Sequence, residues 1–282
     1  MNNSLDVANM SREELLAKRY GVDASDLADA KAPWNVVLST LVNRYSTRAF
    51  TDAGVTEQQL AAIVAAAQSA PTSSNLQSWS VIAVQDPSLK AKLAVLSGNQ
   101  RHIIQAPLLL VFVADLARLR TLGKQAASAV EGLEYFDSFL VSVVDSSLAA
   151  QNAAVAATSM GLGSCFIGAM RNNPAEVAKE LGLPEESFAV FGLAVGTPDR
   201  DYDSDIKPRL PASIVLHREK YGTFDPVAMK RYDAAMTNFE LSQNMPASTW
   251  TSKAIQRVSG AAALTGREKL LRVLKERGFV MK

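Results

Sequence analysis

Apolar residues recur at helical spacing early in the chain and predict two helices on either side of a short polar segment. The first helix follows Trp34 and ends at Asn43. The second begins at Thr56, which forms a capping box with Gln59 three residues later. The polar segment 44–50 is therefore expected at the C-terminal end of a helix.

Continuous apolar runs at 108–114 and 188–195 predict two buried strands, and a shorter run at 81–84 predicts a third. A fourth strand is expected to begin at Ser164 and to turn into a loop of small residues. Helical patterns separate these runs, and the last eighty or so residues are mainly helical in pattern.

The region from 131 to 160 predicts one long helix that is apolar around most of its circumference. Such a helix has to be enclosed, either by other elements of the chain or by a partner subunit. Polar residues such as Ser142, Asp145 and Asn152 interrupt it, and polar groups inside a core need hydrogen-bond partners. Together these features favour the core of a dimer.

The composition narrows the range of partners. The chain has 282 residues, of which 48% are hydrophobic, and a net charge of +1. This balance favours neither nucleic acid nor a membrane as a partner. The single cysteine excludes an intramolecular disulfide, and the N-terminal sequence lacks a basic segment followed by an apolar run. We therefore expect a cytoplasmic protein.

Several common catalytic motifs are absent from the sequence. The two histidines and the one cysteine offer no ligand spacing for zinc, so no metal is expected. The chain contains no Gly-x-Ser-x-Gly and no Walker loop, and Gly161-Leu162-Gly163 does not continue as a dinucleotide fingerprint. Hydrolase, NTPase and Rossmann interpretations therefore have no support.

Two basic segments carry the residue types that bind an anion such as phosphate. The first, 44–50, combines two arginines with two hydroxyl groups, and the guanidinium fork matches phosphate oxygens. The second, 206–211, holds Lys207 and Arg209 between prolines that stiffen the backbone. Taken alone, the first segment is more typical of a solvated basic corner between two helices.

Two loops have a composition that suits a planar ligand. The loop at 70–79 is rich in hydroxyl and amide groups, which can bond to the edge of a heteroaromatic ring. The loop at 161–170 is rich in small residues, which let a ring approach the backbone closely. Taken singly, each loop is also compatible with an ordinary turn.

In this order along the chain, four segments together resemble the FMN-dependent nitroreductase family. They are Arg44-Tyr-Ser-Thr-Arg-Ala-Phe50, Ser73-Ser-Asn-Leu-Gln77, Gly161-Leu-Gly-Ser-Cys-Phe-Ile-Gly-Ala-Met-Arg-Asn-Asn173, and Gly196-Thr-Pro198 followed by Lys207-Pro-Arg-Leu-Pro211. The likeness is to the oxygen-insensitive major nitroreductase and NADPH-flavin reductase branch. It implies an α+β fold, with a mixed central sheet flanked by helices, in an intertwined homodimer that binds FMN at the subunit interface.

The resemblance also implies how the chain is divided. Residues 34–225 would form the FMN-binding domain, and the helices of 226–282 would pack on that same domain. Residues 1–33 would be an N-terminal extension, to which the resemblance assigns no task.

The resemblance further implies which residues bind the ligands. The FMN phosphate would be held by Arg44, Ser46, Lys207 and Arg209, and Arg48 would approach the pyrimidine edge of the flavin. The other implied flavin contacts are Thr72, Ser73, Gln100, His102 and the loop residues Ile167, Gly168 and Ala169, where a backbone N–H would face flavin N5. Ser74 is expected on the substrate side and Arg267 near the nicotinamide nucleotide. No side chain is expected to act as a catalytic acid, because the flavin carries the chemistry.

One segment departs from the pattern of this branch. A basic stretch that receives the 2′-phosphate of NADPH corresponds here to 241–248, which contains no arginine or lysine. Because Arg or Lys normally meets that phosphate, the chain is expected to lose preference for NADPH over NADH. Arg267 is the residue that would compensate in part.

These inferences predict a ping-pong oxidoreductase that passes a hydride from NADPH or NADH through FMN to a small electron acceptor such as a nitroaromatic or a quinone. A free-flavin reductase and a reductase of one dedicated metabolite share the implied fold and stay open. A non-catalytic FMN-binding protein also stays open, and it would bind flavin without being reduced by either nucleotide.

Overall fold

The fold is described from a computed structural model of the chain, which describes residues 10–21, 33–202 and 204–282. Much of the expected N-terminal extension, 1–9 and 22–32, lies outside the described residues. The three-part division predicted from the sequence stays a prediction.

Internal packing divides the chain into two compact units. The first, which we call the helical unit, comprises Met1–Tyr45 and Arg200–Ala263. The second, which we call the sheet unit, comprises Ser46–Asp199 and Leu264–Lys282. Each unit is described separately below.

The helices are numbered in chain order. Those of the helical unit are α1 (Arg12–Tyr20), α2 (Val36–Asn43), α9 (Ala212–Val215), α10 (Pro226–Ser242) and α11 (Trp250–Arg257). Those of the sheet unit are α3 (Glu57–Gln68), α4 (Pro87–Leu96), α5 (Arg101–Gln105), α6 (Ala117–Gln125), α7 (Phe136–Ser159), α8 (Pro174–Glu180) and α12 (Leu270–Glu276).

Four strands form the sheet of the sheet unit, in the order β1-β2-β4-β3. They are β1 (Trp79–Val84), β2 (Leu108–Asp115), β3 (Gly163–Ile167) and β4 (Ser187–Gly196), and all their pairings are antiparallel. Within the described residues, parallel pairing is confined to an isolated bridge between Ser46 and Ser164. The α+β fold predicted from the sequence is confirmed.

The central strand β2 is buried on both faces, which explains its unbroken apolar sequence. Leu110 and Phe112 pack in one core, whose other members include the buried alanines of α7. Leu109 and Val111 pack in the core on the opposite face of the sheet. The sheet therefore lies between two hydrophobic layers.

The helix α7 begins later than predicted, because 131–134 forms a separate 3₁₀ turn. One of its faces is rich in alanine and packs in the core beside the sheet. Its length and composition alone would also allow it to cross a membrane, but that packing is typical of a core helix. A second face stays exposed, with four large apolar side chains between 38% and 52% accessible: Phe136, Leu140, Val144 and Leu148.

The polar residues of α7 were expected to need hydrogen-bond partners, and the chain itself supplies them. Ser146 Oγ lies 2.8 Å from the carbonyl oxygen of Ser142 and 3.0 Å from that of Val113, both in the same chain, so its one hydrogen has an acceptor. Asn152 Nδ2 donates to the carbonyl of Ala66. The feature of α7 that favours a dimer is therefore its exposed apolar face.

Candidate functional site

The two basic segments predicted to bind phosphate contribute to one pocket in the helical unit. This pocket has a volume of about 240 Å³ and is lined by Arg19, Tyr20, Leu41, Val42, Arg44 and Arg209. Arg44 directly follows α2, and Arg209 lies between two prolines on the segment that precedes α9. Side chains that are distant in sequence thus bring three guanidinium groups to one concave surface.

Arg19 was not predicted as a functional residue. Its side chain is only 5% exposed, on the face of α1 that also buries Leu15 and Leu16. The signal was present in the sequence, because a charged residue at helical spacing from two leucines lies on the face that packs inward. A charged side chain on such a face is almost never fully buried without partners, so its position indicated that Arg19 makes specific polar contacts.

The electrostatics of the pocket favour an anion. Burial is the main cause that lowers the pKa of Arg19 to about 10, and the positive charges of Arg209 and Arg44 lower this pKa further. Tyr20 and Asp205 act in the opposite direction. Clustered cations that repel one another are stabilised when a negative group binds between them.

The backbone of Lys207 contacts one of the residues that line the pocket. Its carbonyl accepts a hydrogen bond from Arg19 Nη1 at 2.7 Å. Its ammonium lies 5.6 Å from the ring centroid of Phe239. The structure therefore brings Arg44 and Arg209 into the pocket lining, whereas Lys207 supports that lining from one side.

The sheet unit begins with the remaining members of the first basic segment. Ser46 forms a backbone bridge to Ser164, and the Thr47 N–H donates to the carbonyl of Ser164 at 3.0 Å. A side chain at Gly163 would collide with Thr47, so only glycine allows this close approach. The bridge anchors the segment beside β3 and leaves the side chain of Arg48 exposed.

His102 carries a buried polar atom that is suited to a ligand. Its Nε2 is buried and has no hydrogen-bond partner among the described residues. Burial, and then the positive charge of Arg48, lower the pKa of His102 and favour a neutral imidazole. Such an atom fits a polar edge group of a flavin ring, because buried polar atoms are normally satisfied. Gln100, also predicted here, is the half-buried N-cap residue of α5, and its side chain makes no capping bond.

The hydroxyl-rich loop is held by Asp145 of α7. Thr72 Oγ1 donates to this carboxylate at 2.6 Å, and the Ser73 N–H donates at 3.2 Å. Ser78 donates twice, from its N–H at 3.2 Å and from Oγ at 3.1 Å. The Thr72 hydroxyl, predicted to face the cofactor, thus bonds to Asp145. Ser73 and Ser74 are exposed, as a ligand-facing position requires.

The same loop stores backbone strain. Ser74, Asn75 and Gln77 have φ angles of 49°, 56° and 50°, in the left-handed region that residues with a side chain rarely adopt. Strain of this kind persists only where the surroundings impose it, and it is common beside ligands. The bonds from Thr72, Ser73 and Ser78 to Asp145 hold the loop on both sides of these residues.

The small-residue loop presents its backbone to its surroundings. The side chains of Ile167 and Ala169 are buried, and the 3₁₀ turn Gly168–Arg171 follows β3 directly. Gly168 itself is half-buried. Because the flanking side chains are buried, a ligand at this loop would meet backbone groups.

Two features bear on the nicotinamide nucleotide. Arg267 Nε donates to Asn172 Oδ1 at 2.9 Å, which holds the guanidinium beside the turn that follows β3. In the helical unit, the buried carboxylate of Glu240 accepts hydrogen bonds from the N–H and Oγ of Ser248, and it pairs with Lys253. The stretch 241–248 is therefore tied to a carboxylate rather than lined with cations.

Comparisons with known proteins show which family this chain resembles. The model of the nitroreductase family matches residues 41–197, and that of the nitroreductase family C-terminal domain matches 207–282. An FMN reductase (NADPH) of Bacillus subtilis is 36% identical, over 87% of this chain and 98% of that protein. An oxygen-insensitive NADPH nitroreductase of Salmonella typhimurium is 38% identical, over 76% and 87%. The solved NADPH:FMN oxidoreductase from Vibrio harveyi complexed with NAD+ is 33% identical, with a TM-score of 0.79, over 88% of this chain and all of that one.

Proposed function

This chain belongs to the nitroreductase family, and from that premise we propose that it is a ping-pong enzyme in which NAD(P)H and a small electrophile use one FMN site in turn. It is an FMN-dependent NAD(P)H oxidoreductase. The observation that carries the proposal is the pocket lined by Arg19, Arg44 and Arg209, which is suited to the phosphate of FMN.

The residues are assigned to FMN by the groups that they offer. In the helical unit, Arg44, Lys207 and Arg209 would bind the phosphate with charge-assisted hydrogen bonds. Ser46, the first residue of the sheet unit, is also proposed as a phosphate ligand. In the sheet unit, the neutral His102, Gln100 and the backbone of 167–169 would bind the ring.

Bound FMN supplies a ring nitrogen that accepts a hydride and releases it again. The exposed guanidinium of Arg48 would stabilise negative charge on the pyrimidine edge of the ring. The loop of Thr72, Ser73 and Ser74 would orient the acceptor, with Asp145 as its support. No side chain of this chain is assigned a proton transfer, because none is required for hydride transfer itself.

Anaerobic titration tests this function. The purified protein, loaded with FMN, is expected to lose its visible flavin absorbance when NADPH or NADH is added and to recover it when a quinone is supplied. Parallel-line steady-state kinetics would support the ping-pong order. A protein that binds FMN but is not reduced by either nucleotide would be a flavin carrier, and steady rates with excess free FMN would identify a free-flavin reductase.

The same titration measures the nucleotide preference. A charge-assisted bond to the 2′-phosphate would favour NADPH by about 1.5–3 kcal/mol, but 241–248 contains no cation that could make it. We therefore expect the rates with NADPH and NADH to lie within about tenfold of each other. Arg267 is proposed to supply part of that contact.

Met245→Arg, at an exposed position, is expected to raise kcat/KM for NADPH over NADH, whereas Met245→Gln is not. A wild-type preference for NADPH of a thousandfold would contradict this assignment.

We further propose that the enzyme is a cytoplasmic homodimer that buries the exposed apolar face of α7. Four large apolar residues at intervals of four, from Phe136 to Leu148, form a continuous stripe on that helix. An apolar stripe of this kind on a soluble enzyme is typical of an interface. Its continuity along α7 fits a helix from a second copy of this chain.

A charge placed on that stripe is expected to break the dimer. Val144→Asp would bury a carboxylate against apolar side chains of the partner, so it should convert the dimer to monomer in analytical ultracentrifugation. Val95→Asp is the matched control, because Val95 is also exposed but lies on α4. Equal masses for wild type and both variants would show that α7 lies outside the interface.

A further inference from the structure

The segments that match the family models are 41–197 and 207–282. The N-terminal helix α1 (Arg12–Tyr20) precedes both of them. It nevertheless supplies a residue, Arg19, to the lining of the pocket assigned to the FMN phosphate. Helix α1 therefore adds a residue from outside the matched segments to the lining of this pocket.

The contacts of Arg19 join the two basic segments. On one side, Nε and Nη2 donate to the Val42 carbonyl at 3.1 and 2.7 Å, and Nη2 also donates to the carbonyl of Arg44. On the other side, Nη1 donates to the Lys207 carbonyl at 2.7 Å. The Arg209 N–H returns a bond to the Arg19 carbonyl at 2.9 Å. One residue thus fixes the backbone on both sides of the pocket.

These bonds leave little of the guanidinium for a ligand. The Nε–H, both Nη2 hydrogens and one Nη1 hydrogen point at backbone carbonyls. Arg19 therefore acts chiefly on the separation of Arg44 from Arg209, and less as a direct phosphate ligand. A lysine offers a single ammonium in place of a planar fork and cannot reach these carbonyls together.

We propose that Arg19 is a positioning residue for FMN, holding the two basic segments at the spacing that the phosphate group requires. The proposal rests on the proposed function, because it presupposes that FMN binds at Arg44 and Arg209. Helix α1 would then raise the affinity of the protein for FMN through Arg19. Preorganised partners lose less entropy on binding, so the effect should appear in the affinity for the phosphate.

The test compares FMN with riboflavin, which has the same ring and lacks the phosphate. Apoprotein of the full chain is titrated with each flavin, and dissociation constants are taken from the quenching of flavin fluorescence. Arg19→Met is expected to reduce the preference for FMN over riboflavin by about tenfold or more, with riboflavin affinity unchanged. Arg19→Lys is expected to lose nearly as much, because the bonds to the carbonyls depend on the fork.

Lys18→Met is the matched control. It removes the same charge from the same helix, and Lys18 pairs with Asp205 at the part-exposed rim of the unit rather than with the carbonyls around the pocket. Its preference for FMN should stay within about twofold of wild type, because the variant keeps every bond that Arg19 makes to the carbonyls around the pocket.

Each outcome decides between roles. A preference in Arg19→Lys equal to that of wild type would mean that charge alone matters and would overturn the proposal. Equal losses for FMN and riboflavin would mean that Arg19 only supports folding, which also overturns it. If Arg19→Met does not fold, Arg19→Lys, which keeps the buried charge, still decides. Wild-type protein that binds neither flavin would contradict the proposed function itself, a result distinct from these.

Discussion

Replacing Arg44 and Arg209 together by methionine is expected to weaken FMN binding by a factor of about 10² to 10⁴. Both guanidinium groups line one pocket, and each charge-assisted bond to a phosphate is worth about 1.5–3 kcal/mol. Because a factor of ten corresponds to about 1.4 kcal/mol, two such losses give the expected range. Methionine keeps much of the length of arginine, so the apolar stem of the side chain still fills its place. Equilibrium titration of the apoprotein with FMN measures the effect.

Two controls separate this effect from a general loss of structure. Riboflavin should bind the double variant as it binds the wild type, because riboflavin lacks the phosphate to which these two arginines are assigned. Arg218→Met removes one exposed arginine of the same unit and should leave both affinities unchanged. FMN affinity of the double variant within about threefold of wild type would show that the phosphate lies elsewhere, since lost ion pairs at that site cost far more.

Local features of the fold were predictable because the interactions that form them are local. The capping box of Thr56 with Gln59 and that of Ser11 with Glu14 are both present, and each starts a helix. Asp86 caps α4, whose first residue is Pro87. Each motif satisfies backbone N–H groups within one turn, so its sequence carries the whole physical reason for it.

The predicted strands were also found, because an unbroken apolar run must be buried on both faces. β2 and β4 cover the runs at 108–114 and 188–195 and extend each by a residue or more. The buried Cys165 on β3 follows the same reasoning, since cysteine outside a disulfide packs as a small apolar residue. Burial in these segments is a property of the residues themselves.

Contacts between distant segments were harder to predict. Arg19 bonds to carbonyls of residues 42, 44 and 207, and nothing in the local sequence specifies those partners. The Thr72 hydroxyl was expected at the cofactor, yet it donates to Asp145, 73 residues along the chain. The direction in which a short polar side chain points is set by tertiary packing, and local sequence patterns do not contain that information.

Asp145 shows what the sequence did offer. It is the only charged residue between positions 138 and 170, in the middle of an apolar helix. A lone carboxylate in such a helix is expected to be buried with several donors around it, because an unsatisfied buried charge is strongly unfavourable. The sequence therefore indicated a buried carboxylate with several hydrogen-bond donors around it. The structure shows that these donors belong to the loop of Thr72, Ser73 and Ser78.

Asp145→Ala is expected to lower the free energy of unfolding by about 3–5 kcal/mol, the second large effect. Four donors from Thr72, Ser73 and Ser78 would lose their acceptor, and each buried donor left unsatisfied costs about 1–3 kcal/mol. Part of that cost is recovered because the loop relaxes its left-handed residues and exposes the freed groups to water. Urea unfolding of the FMN-free protein measures the change in stability directly.

The state of the loop distinguishes this mechanism from simple loss of packing. Amide hydrogen exchange at Ser73 and Ser78 should quicken sharply in Asp145→Ala, since both N–H groups bond to the carboxylate. The stability of Asp145→Asn should lie between that of Asp145→Ala and that of the wild type, because the amide keeps one acceptor oxygen but turns a donor toward other donors. Asp137→Ala, at an exposed position in the first turn of the same helix, should cost about 1 kcal/mol or less. If Asp145→Ala were no less stable than Asp137→Ala, with both amides still protected, the loop would be held by other contacts, and the strained residues at 74, 75 and 77 would need another cause.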